Sequence, residues 1–158
     1  MKLAEAAADF LACKRIAVTG VSRNPQGHGS NAVYDRLLER GYEVVAINPN
    51  AESIGERPAY PTLAAVPGGV EAVVIGTRPD KALDTVREAV DLGIAKVWMH
   101  RSVDAGSVSP EAVAYGREHG VMVIDGGCPL MFDPAADGAH KFMCGVLKLV
   151  GKVPRTVA

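Results

Sequence analysis

The sequence predicts an α/β fold in which helices cover both faces of a parallel sheet. About five short apolar segments alternate along the chain with longer segments whose apolar residues recur at helical spacing. The 17 glycines and 10 prolines are typical of a chain with many tight connections. Strands joined through helices run parallel, because a right-handed crossover returns the chain to the same edge of the sheet.

The first half of the chain contains two predicted helices and a long connection. An amphipathic helix is expected within residues 1–13, where Glu5 and Asp9 interrupt the apolar residues. A second helix is expected over Asn31–Arg40 and ends at Gly41. Three prolines limit the connection after residue 47 to one helical turn near Thr62–Val66. The predicted strands of the whole chain are Ile16–Val18, Glu43–Ile47, Ala72–Ile75, Ala95–Met99 and Val121–Ile124.

The second half contains three further predicted helices. Asp80 is the expected N-cap of the first, and Ser109 and Pro110 are expected to begin the second. A last helix is predicted from about Ala139 to Leu149, inside a C-terminal extension over residues 130–158. The apolar stripe of the first of these helices consists of Leu83, Val86, Ala89 and Val90. Together these elements predict one Rossmann-like, doubly wound domain over residues 1–158.

Composition and charge argue against several classes of protein. The formal net charge of −1 provides no basic face for nucleic acid. No segment reaches the ~20 consecutive apolar residues that a membrane helix needs. The three cysteines, Cys13, Cys128 and Cys144, show no disulfide spacing, which favours free thiols and a cytoplasmic protein.

A loop rich in Gly, Ser and Asn joins the first predicted strand to the second helix. It runs from Gly20 to Asn31. Where a strand leads through a glycine-rich loop into a helix, several backbone N–H groups point at one place. The positive end of the helix dipole lies at the same place. We therefore expect an anionic group, usually a phosphate, to bind at this loop.

Polar segments follow four of the predicted strands, at residues 20–23, 48–50, 76–79 and 99–102. The carboxyl ends of parallel strands lie along one edge of the sheet, where such folds bind their ligands. Three of these segments contain an arginine. The combination predicts an anionic ligand at this edge.

The spacing of these residues argues against two common nucleotide ligands. The glycines of the loop are Gly20, Gly27 and Gly29, which is not the Gly-x-Gly-x-x-Gly pattern of NAD-binding proteins. Asn48 and Pro49 stand where such proteins carry an acidic residue for the ribose hydroxyls. The chain also lacks the Gly-x-x-x-x-Gly-Lys-Ser/Thr loop of ordinary ATP or GTP hydrolases.

Several segments resemble the small, stand-alone coenzyme A-binding domain proteins, whose fold is similar to the N-terminal domain of the succinyl-CoA synthetase α subunit. The resemblance covers about Phe10 to Pro129, with its parts in the family's order. It implies that the chain binds coenzyme A or an acyl-CoA at the carboxyl edge of the sheet. We expect a binding or regulatory module without chemistry of its own, because none of the four histidines has a partner carboxylate or serine at recognisable spacing. The segments that carry the resemblance are Ile16–Pro25, Gly41–Pro49, Gly55–Leu63, Thr77–Pro79, Lys96–Met99 and Gly127–Pro129.

The resemblance also implies the residues that contact the ligand. In the segment after Trp98 the family pattern leads us to expect Gln and then Gly, where this chain has His100, Arg101 and Ser102. Guanidinium groups bind phosphate bidentately, so the candidates for the 3′-phosphate of coenzyme A are Arg23, Arg78 and Arg101. The implied phosphate contacts are Gly20, Ser22, Arg23, Gly29 and Ser30, and the implied nucleotide contacts are Asn48, Pro49, Thr77, Arg78 and Pro79. His100 and Arg101, where the chain departs from the family pattern, are further candidate contacts.

Two alternative functions remain open from the sequence. One is a small enzyme that acts on an acyl-CoA or another nucleotide through His100 or a reactive Cys128, which would need a lowered thiol pKa. The other is a zinc-binding interaction protein that uses Cys128, His140 and Cys144, the last two of which share one face of a helix. The apolar residues of the C-terminal tail, Phe142, Met143, Val146 and Leu147, are expected to cover a neighbouring subunit or a partner protein.

Overall fold

A computed structural model describes residues 1–24, 29–101, 106–151 and 153–157. Its helices are α1 (Leu3–Leu11), α2 (Gly29–Glu39), α3 (Pro79–Asp91), α4 (Pro110–Glu118) and α5 (Gly138–Leu149), with a short 3₁₀ turn at Pro129–Met131. Its strands are β1 (Arg15–Thr19), β2 (Glu43–Ile47), β3 (Ser53–Ile54), β4 (Arg57–Tyr60), β5 (Ala72–Ile75), β6 (Lys96–Met99) and β7 (Met122–Asp125).

The strands form one sheet in the order β3-β4-β2-β1-β5-β6-β7. All neighbouring strands are parallel except β3 and β4, which pair antiparallel. The central strand β1 pairs with β2 on one side and with β5 on the other, so Val18 lies between Ala46 and Val74. The strand order therefore reverses beside β1, and the carboxyl ends of β1, β2 and β5 meet at this switch point.

Helices pack on both faces of the sheet, which confirms the predicted doubly wound α/β fold. Alternate residues of a strand point to opposite faces. Ile16 and Val18 accordingly belong to the apolar cluster under α1, α2 and α5, whereas Ala17 belongs to the cluster under α3 and α4. The largest fully buried side chain is Trp98, whose Nε1 donates a hydrogen bond to the Gly126 carbonyl (3.0 Å).

The main difference from the predicted strands lies in the proline-containing connection after β2. Before the expected turn, this segment contains the antiparallel strands β3 and β4, which were not predicted. Pro58 lies in β4 opposite Ser53 of the two-residue edge strand β3. A proline has no N–H to donate, and it is tolerated here because β4 pairs with β2 only through Ala59 and Tyr60, beyond Pro58. The expected turn near residues 62–66 is a hydrogen-bonded turn, in which the Val66 N–H donates to the Leu63 carbonyl (3.2 Å).

The helix boundaries agree with the predicted ones to within about two residues; α2 begins earlier than expected, at Gly29, and the start of α3 also differs. The N-cap of α3 is Arg78, with Pro79 in the first turn, so the prediction that Asp80 is the N-cap is wrong. Proline is favoured at the first helical position, because its fixed φ already suits the helix. Ser109 caps α4 as predicted, and its side chain accepts a hydrogen bond from the Ala112 N–H (3.3 Å).

Candidate functional site

The carboxyl ends of β1 and β5 approach each other through two glycines. A Cβ atom on Gly20 would lie 2.8 Å from the carbonyl carbon of Gly76, and Gly20 has a φ of +78°. A Cβ atom on Gly76 would overlap the Ser30 hydroxyl and would lie 2.7 Å from the Thr19 carbonyl oxygen. Both positions therefore require glycine, so that the loop after β1 can lie against the end of β5.

Two hydroxyl groups form hydrogen bonds with the backbone of Gly76. The Gly76 N–H donates to Thr19 Oγ1 (3.1 Å), and Ser30 Oγ donates to the Gly76 carbonyl (3.1 Å). Ser30 is buried, and its hydroxyl hydrogen is engaged by the protein backbone. The N–H groups in the first turn of α2 have no acceptor within the helix and are the groups that a phosphate would use there.

Asn31 holds the backbone of the loop at Ser22. Its Oδ1 accepts a hydrogen bond from the Ser22 N–H (2.9 Å), and its Nδ2 donates to the Ser22 carbonyl (2.8 Å). The Ser22 hydroxyl accepts a further hydrogen bond from the Asn24 N–H (3.1 Å). Sequence reasoning did not assign Asn31 to the site, although an Asn in the first turn of a helix after a glycine loop is a recognisable signal. Asn31 therefore keeps the backbone of the loop in place.

Asn48 links the end of β2 to the same loop. Its Nδ2 donates to the Val21 carbonyl (2.8 Å), and its Oδ1 accepts a hydrogen bond from the Asn50 N–H (2.8 Å). An acidic residue here could not donate to Val21 and would carry a negative charge at the expected phosphate site. The structure thus explains what the amide does at the position where NAD-binding proteins carry an acid.

A cleft of about 480 Å³ opens at the switch point between the loop after β1, the end of β2 and α3. Five residues singled out from the sequence line it, namely Gly20, Ser22, Asn48, Pro49 and Thr77. The Thr77 Oγ1 atom is buried and has no hydrogen-bond partner among the described residues. The other lining residues are Thr19, Val21, Ile47, Asn50, Pro61, Thr62, Leu63, Lys81, Asp84, Thr85 and Glu88, of which the last four belong to α3 and were not predicted.

The remaining predicted site residues lie around this cleft without lining it. His100 lies against the start of α2, where a Cβ atom on Gly29 would be 3.2 Å from the His100 Cε1 atom. Arg78 is exposed and forms an ion pair with Asp80 (3.1 Å). Ser30 and Pro79 lie in the first turns of α2 and α3. Arg23 is exposed, and the Arg101 N–H donates to the Gly127 carbonyl (2.9 Å). Residues 25–28 of the glycine loop and Ser102 lie outside the described residues.

The environment of Cys128 argues against the reactive thiol considered above. Its side chain is buried, and burial raises the pKa of the thiol to about 12. A reactive cysteine needs a lowered pKa, because the thiolate is the nucleophile. Cys128 therefore stays protonated at neutral pH and behaves as a small apolar side chain.

The zinc-binding alternative finds no support in the described residues. Among them, no group of three or more His, Cys, Asp or Glu side chains could hold a metal ion. The His140 Nδ1 atom instead lies 2.8 Å from a carboxylate oxygen of Asp137, the N-cap of α5. All three cysteines are buried free thiols.

The apolar residues of α5 that were expected to contact a partner differ in their exposure to solvent. Phe142 and Val146 are exposed, whereas Leu147 is buried and Met143 packs against the core. The expectation that all four residues cover a neighbour is therefore wrong for Leu147, whereas Met143 is only partly buried. Partner binding through the exposed pair stays a prediction. Within the described ranges, every helix is too short or too polar to cross a bilayer.

Comparison with known proteins identifies the family of the chain. The uncharacterised protein YneT of Bacillus subtilis strain 168 is 27% identical over 111 residues, which are 70% of this chain and 78% of that protein. The ADP-forming acetate–CoA ligase II of Archaeoglobus fulgidus is 30% identical over 88 residues, or 54% of this chain, but these are only 13% of the ligase. A hypothetical protein from Pyrococcus horikoshii OT3 has a similar structure, with a TM-score of 0.69 and 29% identity, covering 75% of this chain and 81% of its own.

A family model described as a CoA binding domain matches residues 14–134. This match begins just before β1 and ends after β7, so it includes the strand ends, the loop after β1 and the cleft. The chain belongs to the CoA-binding domain family.

Proposed function

We propose that this protein binds coenzyme A, or an acyl-CoA, in the cleft at the switch point and acts as a binding or regulatory module without chemistry of its own. The observation that carries this proposal is the cleft itself, which lies at the carboxyl ends of β1, β2 and β5 in a chain of the CoA-binding family. Nucleotides bind at this place in doubly wound sheets. The cleft volume of about 480 Å³ lies in the range of small-molecule sites.

The residues present fit the two parts of the nucleotide. The pyrophosphate would lie against the backbone at Gly20 and Ser22 and the N-terminus of α2, where backbone N–H groups and the helix dipole favour an anion. The adenosine would enter the cleft between the apolar side chains Ile47 and Leu63 and the backbone after β5. The buried, unpartnered Thr77 hydroxyl would then gain the hydrogen bond that it lacks among the described residues.

Cations around the cleft suit the additional phosphate of coenzyme A. Lys81 lines the cleft and Arg78 stands at its rim, where the ion pair with Asp80 is exposed. An exposed ion pair contributes little, so Arg78 can exchange this partner for a phosphate at small cost. Arg23 and Arg101 remain candidates for the same role.

A role in binding without catalysis rests on the side chains of the cleft. No His or Cys is among the described residues that line it. Cys128 is held protonated by burial, as described above. The acetate–CoA ligase similarity covers 13% of that enzyme, so its reaction is not carried over to this chain. The three buried free thiols support a reducing compartment, and we propose the cytoplasm.

Thermal denaturation with added nucleotides tests the proposal. Coenzyme A at about 100 times its Kd should stabilise the protein by about 2.7 kcal/mol, which corresponds to a rise in Tm of roughly 5–10 °C. NAD and ATP at the same concentration should produce a smaller rise. The proposal fails if NAD stabilises the protein and coenzyme A does not. Turnover of acetyl- or succinyl-CoA by the purified protein would overturn the non-catalytic part.

A further inference from the structure

A second cleft of about 430 Å³ lies on the other side of Ser22 from the proposed nucleotide cleft. It opens between α2 and the β3–β4 hairpin. The two clefts share Ser22 and no other lining residue that the structure describes. The lining residues of this second cleft are Ser22, Arg23, Asn31, Tyr34, Asp35, Leu38, Ile54, Gly55, Glu56 and Arg57.

One residue that lines the second cleft is a buried tyrosine whose hydroxyl has no hydrogen-bond partner among the described residues. This residue, Tyr34, is 3% exposed. Leaving a buried hydroxyl without a partner costs free energy, so such groups are usually satisfied by protein, water or a ligand. Burial also raises the pKa of Tyr34, which keeps the hydroxyl protonated and able to donate at neutral pH.

Two arginines, Arg57 and Arg23, line the second cleft together with Tyr34. The charge of Arg57 lowers the pKa of Tyr34 and the charge of Asp35 raises it, and the effect of Arg57 is the larger of these two. Arg57 and Arg23 are exposed at the mouth of the second cleft, and neither forms a salt bridge within the described residues. Tyr34, Arg23 and Arg57 bring donor groups to this cleft, which Asp35 and Glu56 also line.

We propose that the second cleft is an anion subsite that binds a phosphate monoester through the Tyr34 hydroxyl and the guanidinium groups of Arg57 and Arg23. Guanidinium binds two oxygens of a phosphate at once, and a hydroxyl can donate to a third. The phosphate has two chemical sources. It is either the 3′-phosphate of a coenzyme A bound in the first cleft, which rests on the proposed function, or a separate phosphorylated molecule.

Inorganic phosphate is the probe that tests the subsite directly. Its Kd is measured by isothermal titration at pH 7.5 and constant ionic strength for the native chain, Y34F, R57Q and the control R155Q. Arg155 is exposed and lines neither cleft, so R155Q removes one positive charge elsewhere. We expect Y34F and R57Q each to bind phosphate about 10-fold more weakly, the loss typical of a hydrogen bond to a charged group, and R155Q to bind it like the native chain. The melting temperature of unliganded Y34F should not fall, because the substitution removes only a hydroxyl without a partner.

Coenzyme A and dephospho-CoA then distinguish the two sources. A preference for coenzyme A that shrinks in Y34F and R57Q, but not in R155Q, identifies its own 3′-phosphate as the occupant. An unchanged preference together with weakened phosphate binding identifies a separate ligand. Equal phosphate affinity and an equal preference in all four proteins overturn the subsite. If coenzyme A does not bind at all, the proposed function fails while the phosphate titration still decides on the subsite.

Discussion

Gly20 and Gly76 meet where the two central strands end, and a Cβ atom on Gly20 would lie 2.8 Å from the Gly76 carbonyl carbon. This contact allows the loop after β1 to lie against the end of β5. Its position beside the cleft means that a substitution here affects both the stability of the sheet edge and the shape of the candidate site.

Gly76→Ala should destabilise the protein by about 1–3 kcal/mol, because the new Cβ atom overlaps the Ser30 hydroxyl and crowds the Thr19 carbonyl. Urea denaturation measures this loss, and titration with coenzyme A should show weaker binding. Gly145→Ala is the matched control, since its Cβ atom meets nothing within 4 Å in the middle of α5. In a helix interior this change should stabilise the protein by roughly 0.5–1 kcal/mol. Equal stability of the two variants would contradict the close approach.

Thr77→Val should separate ligand binding from stability. The Thr77 hydroxyl is buried without a partner among the described residues, so its removal should not lower the melting temperature of the free protein. The affinity for coenzyme A should fall about 3- to 10-fold, the loss typical of one net hydrogen bond. Thr156→Val, on an exposed residue outside both clefts, should leave the affinity unchanged. If Thr77→Val binds coenzyme A like the native chain, Thr77 does not contact the nucleotide.

Asn31→Ala should lower the free energy of unfolding by about 1–3 kcal/mol, because both hydrogen bonds to the Ser22 backbone are lost. Asn31→Asp keeps the acceptor for the Ser22 N–H but places a negative charge in the first turn of α2. We therefore expect Asn31→Asp to be the more stable of the two variants and to bind phosphate-containing ligands more weakly than the native chain. Urea denaturation and calorimetric titration check the two effects separately. Tighter nucleotide binding by Asn31→Asp would argue against a phosphate at this loop.

The buried thiol of Cys128 predicts a loss of stability in alkaline solution. Burial raises its pKa from 9.0 to about 12 in the folded protein, whereas the thiol of the unfolded chain ionises near the lower value. The stabilisation from the protonated thiol is complete below about pH 9 and is lost progressively as the pH rises toward 12. The urea midpoint of the native chain should therefore fall more between pH 7.5 and 10.5 than that of Cys128→Ala. Parallel decreases in the two proteins would show that Cys128 does not ionise on unfolding.

The local pattern of the sequence was sufficient for most of the fold. Buried parallel strands appear as short apolar runs, and helices show their spacing and their terminal Gly, Ser and Pro residues, because these signals depend on neighbours in the chain. The β3–β4 hairpin was missed for the same reason. Its prolines and polar residues give no strand signal, and the hairpin forms because β4 can pair with the edge of β2.

By itself, the sequence determined the doubly wound fold and predicted the edge of the sheet at which the candidate cleft lies. It also showed that Asn48 stands in place of an acid, which argued against NAD. Only the tertiary structure decided which polar groups are already used and which are available to a ligand. The Ser30 hydroxyl donates a hydrogen bond to the Gly76 carbonyl, whereas the Thr77 and Tyr34 hydroxyls lack partners among the described residues. Hydrogen-bond satisfaction depends on contacts between segments far apart in the chain, so residue type and spacing alone do not reveal it.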